Sequence, residues 1–258
     1  METIQDELRF LGTGAADWSQ PNKDGFYRRN AAALLNGELL IDCGPKVWDY
    51  ADNVQPGALD GVTDVLLTHD HEDHFDLPAL LRLADTRLIR VMCDAFDRAQ
   101  IGRHPRIECI PAVPYVPLRM GAYTVTPVLA NHDVMQKGLR QACHYIIRTP
   151  DKKTLFYGLD GAWFLCPAWA EMRKHRFDVM VLDCTAGDAD DWRMFEHNTV
   201  PMLRMMVHAI EQQQLLAKNG CILASHFART LHGSHAETAA VLEQFHVRAA
   251  YDGMRVRF

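Results

Sequence analysis

Basic charge is in short supply in this 258-residue chain: 27 Lys and Arg stand against 33 Asp and Glu, for a formal charge of -6 and a pI near 6.1. Tight binding to long nucleic acid needs a broad phosphate-neutralising face, and none is encoded. No apolar run approaches the length of a membrane span. The opening segment, METIQDELRFLGTG, carries acids where a secretory leader would need a basic region followed by an apolar one. The expectation is a soluble, cytoplasmic protein. Seven cysteines are scattered, odd in number and without a Cys-x-x-Cys pair, which argues for reduced, buried thiols rather than a disulfide framework or a thiolate zinc site. Repeats, low-complexity tracts and Ser/Gly linkers are missing too, so one domain over residues 1–258 is expected.

Apolar residues make up 48% of the chain, enough for a sizeable core. They fall into short strand-like runs: LRFLGTG, AALLNGELLIDCG turning at Asn36-Gly37, DVLLTH, RLIRVMC and YTVTPVLANH. The second half repeats the style with HYIIRTPDKKTLFYGLDG turning about Pro150-Asp151, then FDVMVLDC, GCILASH and VRAAYDGMRVRF. Helical spacing appears in DLPALLRLA, CPAWAEMRKHR, SHAETAAVLEQF and a long NTVPMLRMMVHAIEQQQLLAKNG expected to end at Gly220. The methionine stripe of that long helix is read as core packing, the usual fate of an apolar helix face. Two mixed sheets, face to face and covered outside by helices, accommodate this order.

Between Asp64 and Leu77 the chain reads DVLLTHDHEDHFDL, with three histidines and four acids in the eight positions from His69. His69, His71, Asp73 and His74 form His-x-His-x-Asp-His. Imidazole and carboxylate suit zinc, manganese or iron, and the alternating histidines can aim two nitrogens at one ion while Asp73 and His74 turn to a second. The bland alternative is a solvated loop. One loop cannot complete two coordination spheres, so further ligands are required at other strand ends. His132 ends YTVTPVLANH, Asp160 ends TLFYGLDG and His226 ends GCILASH. Three such residues in one setting favour metal.

On these residues, with LGTGAADW, the Asp42 turn of LLIDCG and the closing AYDGM, the chain resembles the metallo-β-lactamase fold hydrolases over nearly its whole length. The resemblance implies an α/β, four-layer αββα sandwich with two divalent metals, zinc or manganese with iron also acceptable. It assigns His69, His71 and His132 to one ion, Asp73, His74 and His226 to the other, and Asp160 between them. A metal-bridging hydroxide would be the nucleophile, oriented in part by Asp73. Asp42 reads as the partner of a ligand histidine, or as a turn residue.

Several branches share this ligand set, so other residues must select the substrate. His197, in LDCTAGDADDWRMFEHNTV, sits where phosphodiesterase members carry an extra histidine, and is expected at the start of a helix as a general acid or a donor to phosphate. Within that branch the resemblance is greatest to the cyclic-phosphate phosphodiesterase that accompanies carbon-phosphorus lyase, through FYRRNAAALL, VMVLDC and YDGM. The cysteine cluster for that enzyme's separate structural zinc is missing from AADWSQPNKDGFYRRN. A tRNA 3′-processing endonuclease is a further relative, but no Gly/Lys-rich arm is visible, and Asp188, Asp190 and Asp191 would repel RNA. Arg28 and Arg29 are weighed as phosphate contacts and read instead as surface charge. His232 and His235 are weighed as alternate ligands and read as ordinary residues. The expected activity is hydrolysis of small phosphodiesters, cyclic ones included, with no membrane partner and with a homodimer compatible. The alternatives are a lactone or thioester hydrolase at the same metals, and a metal-binding member without turnover.

Overall fold

The computed structural model describes residues 5–132 and 142–258; part of the acid-bearing opening segment, residues 1–4, lies outside them. Fourteen strands form two seven-stranded sheets among the described residues. The first contains β1 (Glu7–Gly12), β2 (Ala32–Leu35), β3 (Leu39–Ile41), β4 (Asp64–Leu66), β5 (Ile89–Cys93), β6 (Ile107–Pro111) and, at the far edge beside β1, β14 (Arg255–Arg257). The second runs in order from β7 (Leu118–Met120), β8 (Tyr123–Leu129), β9 (Cys143–Arg148), β10 (Thr154–Gly158), β11 (Phe177–Asp183) and β12 (Leu216–Ser225) to β13 (Val247–Ala249). Both sheets are antiparallel on one side and parallel on the other, with the change at the β3–β4 pair in the first and the β10–β11 pair in the second.

Alternation along the strands builds the layers. In β10, Leu155 and Tyr157 enter a central core shared with Phe10, Leu35 and Ile41 of the other sheet, while Phe156 faces the outside. There it packs under α4 (Cys166–Met172), α5 (Val200–Gln212) and α6 (His235–Glu243), through Ala168, Leu203 and Leu242. In β4, Leu66 faces the central core and Val65 faces the layer of α1 (Val47–Asn53), α2 (Leu77–Ala84) and α3 (Ala95–Ile101). β4, apolar on both faces, is buried on both. Three apolar layers separated by two sheets are what an αββα sandwich requires.

Both expected hairpins form; Asn36 and Gly37, the central residues of a turn in which the Glu38 N–H donates to the Leu35 carbonyl, both take positive φ (52° and 75°). In α5, Met202, Leu203, Met206, Val207 and Ile210 face the core and only Met205 of the methionine stripe is exposed. The helix does not run to Gly220. It stops at Gln212, Gln214 reverses the chain at φ 52°, and Leu216–Ser225 is strand, paired with Phe177–Asp183. The helix-forming composition of QQQLLAK yields to the hydrogen bonds offered by the β11 edge. The last expected strand is two, β13 and β14, placed in opposite sheets. All seven thiols are free; four are buried and Cys166 is exposed.

Candidate metal centre

The strands deliver the cluster at their carboxyl ends, where parallel strands converge on a cleft. Asp42 follows β3, Asp160 lies two residues past β10, and His226 follows β12; all three sit at positive φ (63°, 52° and 62°). Asp and His tolerate the left-handed region better than branched residues, yet three such turns at one site point to a functional demand on side-chain direction. His69, His71, Asp73 and His74 occupy the loop between β4 and α2, whose Asp76 caps α2 by accepting from the Ala79 N–H. Gly44 fits under this loop because a Cβ there would lie 2.2 Å from the Asp73 carbonyl oxygen. Asp70 accepts from Gln100 at 2.6 Å and supports the loop from outside.

His69, His71, His132 and Asp160 converge as one group, and Asp73, His74 and His226 as another. Asp160 lies between them. Its Oδ2 is 3.4 Å from His69 Nε2, 3.6 Å from His132 Nε2 and 3.2 Å from His74 Nε2, and its Oδ1 is 2.8 Å from His226 Nδ1. Asp73 Oδ2 is 3.2 Å from His226 Nε2. All seven residues, four from the His-x-His-x-Asp-His loop and three that follow apolar strands, therefore lie in the cluster.

Neighbours outside the cluster set the imidazole tautomers. A carboxylate only accepts, so His74 donates Nδ1–H to Asp42 Oδ2 at 2.8 Å and turns its Nε2 lone pair inward. The Thr68 hydroxyl donates to Asp42 and accepts from His69 Nδ1 at 3.0 Å, with the same result for His69. His132 donates Nδ1–H to the Glu196 carbonyl at 3.1 Å. Asp42→Ala removes the first two of these restraints. It should weaken metal retention by roughly 10- to 100-fold in a chelator titration, the usual cost of losing an orienting partner; unchanged retention would reduce Asp42 to a turn residue.

The donor set fits divalent cations. His69 Nε2 is buried without a hydrogen-bond partner among the described residues, and two pairs of imidazole nitrogens, His74 with His226 and His71 with His132, approach to 3.1 Å. Burial pushes His69 well below the ordinary histidine range and His132 down to about 4, so both offer lone pairs at neutral pH. Burial acts the same way on His74 and His226, but Asp160 first, and then the other neighbouring carboxylates, lift both well above it. Asp42, Asp73, Asp160 and Asp183 are all buried, and the one guanidinium bordering the cavity among the described residues, that of Arg193, is engaged by Asp191. Four buried carboxylates need compensating positive charge, which two divalent ions would supply.

His197 lies in the loop between the 3-10 helix Trp192–Phe195 and α5, before the helix rather than at its start. Its Nδ1 is 3.4 Å from Asp183 Oδ1 and 4.0 Å from Asp160 Oδ1. Asp183 is held by the Asn198 N–H at 2.6 Å and the Thr185 hydroxyl at 2.5 Å. Burial would lower His197, but the hydrogen bond and charge of Asp183 outweigh it and raise it. Sequence reasoning passed over Asp183, although it too is an acid ending an apolar strand, FDVMVLD. The cluster forms one wall of a cavity of about 300 Å³, whose other walls include Ala15, Asp17, Trp192, Glu196 and Leu231.

Arg28 and Arg29 do not reach it. Arg28 is buried, donating to Thr13 and the Ala250 carbonyl, 3.0 Å from His235 Nδ1 and stacked on Phe227; Arg29 pairs with Asp49 and Asp252. Burial overturns the surface reading for Arg28. His232 lies 2.7 Å from the Cys184 carbonyl oxygen, and His235 stacks on Phe26, so both serve the frame.

The two-sheet sandwich, with its histidines and carboxylates gathered at strand ends, defines a metallohydrolase architecture. The chain belongs to the beta-lactamase superfamily, whose domain model matches residues 38–227. Among solved structures it is similar to the metallo-beta-lactamase fold protein YhfI from Bacillus subtilis, at 16% identity and a TM-score of 0.73 over 98% of this chain and 100% of that one. A diphosphatase from the PhnP family shares 18% identity and a TM-score of 0.68 over 98% of each chain. The short form of human tRNase Z shares 18% and 0.69 over 97% of this chain and 98% of that one. No curated protein matches by sequence. No helix among the described residues is long and apolar enough to cross a membrane.

Proposed function

We propose that this chain is a dinuclear metal-dependent phosphodiesterase of the cytoplasm, acting on small phosphodiesters, cyclic ones included. His69, His71 and His132 would hold one ion and Asp73, His74 and His226 the other, with Asp160 shared. Divalent ions bound there would supply Lewis acidity to a phosphoryl group and acidify water. Zinc and manganese both suit the donors. The observation that carries the phosphoryl reading is the Asp183–His197 pair beside the cluster. An alkoxide is a poor leaving group, and departure needs a proton at the right place.

Asp183 holds Nδ1–H, so Nε2 is the nitrogen left to meet a substrate and deliver that proton. Asp73, at the inner wall of the cavity, has a carboxylate oxygen available to orient water. The cavity volume sits at the small end for ligand sites, about 300 Å³, which suits a compact substrate. Two neighbours, named a diphosphatase and a tRNase Z, agree with phosphate chemistry.

A panel on the metal-loaded protein tests this: a chromogenic phosphodiester, a cyclic phosphate, a lactone, a thioester and a β-lactam. The cyclic phosphate, whose leaving alkoxide needs a proton, should be turned over with kcat/KM at least about 100-fold above the carbonyl substrates, a margin within what an acid matched to the leaving group contributes. Faster turnover of the lactone or thioester would replace this reading with carbonyl hydrolysis.

A further inference from the structure

The 3-10 helix Trp192–Phe195 spends three of its four side chains on exposed apolar surface: Trp192 is 63% exposed, Met194 37% and Phe195 73%. Trp192 borders the catalytic cavity together with Arg193, Glu196 and His197. The segment is capped at its start and tied to the cluster at its end. The Asp191 side chain accepts from the Arg193 N–H at 3.0 Å, and the Glu196 carbonyl accepts from His132 Nδ1 at 3.1 Å. The Arg193 guanidinium lies 5.6 Å from the indole centroid and is paired with Asp191.

Across the mouth, Asp17 is engaged by the Thr230 N–H and hydroxyl and by the Arg229 N–H. The rim therefore offers a second phosphate no unpaired cation among the described residues. It does offer an aromatic face. Trp192 is mostly exposed and stands on the wall of this cavity of about 300 Å³, so a group carried by a phosphodiester held at the cluster can lie against the indole. A neutral planar group gains by stacking on indole, and a further anion finds no free cation there to pair with.

Resting on the phosphodiesterase reading above, we infer that Trp192 determines specificity by stacking on a planar aromatic group, such as a nucleobase, carried by the phosphodiester. Two measurements on the metal-loaded protein test it. In the first, AMP and ribose 5-phosphate are compared by calorimetry, which needs no turnover. The wild type should bind AMP about tenfold more tightly or better, the ratio should collapse toward one in Trp192→Ala, and Trp192→Phe should recover most of it. In the second, the kcat/KM ratio for the 2′,3′-cyclic phosphate of adenosine over the cyclic phosphate of glycerol should fall about tenfold in Trp192→Ala and recover in Trp192→Phe. AMP and ribose 5-phosphate bound alike, or not at all, by the wild type would overturn the inference. So would a ratio that survives in Trp192→Ala, including the case where that variant only dissolves a dimer in sedimentation. An AMP preference that depends on Trp192 without turnover of any phosphodiester would support the platform and remove the phosphodiesterase reading instead.

Discussion

Asp160→Ala should lower kcat on a phosphodiester by more than about 100-fold and reduce bound metal from near two ions per chain to one or fewer, since a shared ligand matters more than an orienting partner, which alone is worth 10- to 100-fold. The expectation follows from where the carboxylate lies. One oxygen faces nitrogens of His69, His74 and His132, which belong to both halves of the cluster, and the other lies 2.8 Å from His226. No other carboxylate among the described residues occupies that central position: Asp73 approaches only His74 and His226, and Asp183 approaches only His197 and His226. Metal analysis and steady-state rates on the same preparation separate the outcomes. Full activity with one ion would end the dinuclear reading, and two retained ions with lost activity would move Asp160 from metal binding to chemistry. Asp160→Asn keeps the shape and one lone-pair oxygen, and it should fall between the two.

His197→Ala should lower kcat by roughly 10²- to 10⁴-fold on a phosphodiester with an alkoxide leaving group, the usual contribution of a positioned acid, and leave metal content unchanged. With a nitrophenolate leaving group, which departs without a proton, the loss should be much smaller. The pH dependence has a definite sign. Asp183 raises His197, so the acid form persists above the ordinary histidine range and the rate that depends on it falls as pH rises through that raised value. Asp183→Asn removes the main lifting influence and should move the alkaline limb to lower pH. Loss of metal in His197→Ala would make it a ligand, and equal losses for both leaving groups would remove its role as an acid.

Much of the cluster was legible because its donors leave a local trace. His-x-His-x-Asp-His confines four donors to one loop, and His132, Asp160 and His226 each follow an apolar strand. Asp183 also ends an apolar strand, but its pairing with His197 exists only in the fold. The short helices α1 and α3 went unread, and so did the short strands β6 and β7, since none sustains a period long enough to detect. The overlong α5 is a different failure: QQQLLAK favours helix locally, and only the waiting edge of β11 turns it into strand.

Trp192 had no signal at all. An aromatic among WRMFEH is unremarkable until the chain places it at the mouth of the cavity. The sequence by itself determined the imidazole and carboxylate character of the cluster and the alternation that builds two buried sheets, because these depend on residue type and short-range spacing. Only the tertiary structure decided which nitrogen each histidine turns inward, how the two oxygens of Asp160 divide among the histidines around it, that Asp183 stands behind His197, and that Arg28 is buried outside the cavity lining. Those facts are distances between ends of strands separated by tens to hundreds of residues, and they exist only once the register of each sheet and the packing of one sheet on the other are set.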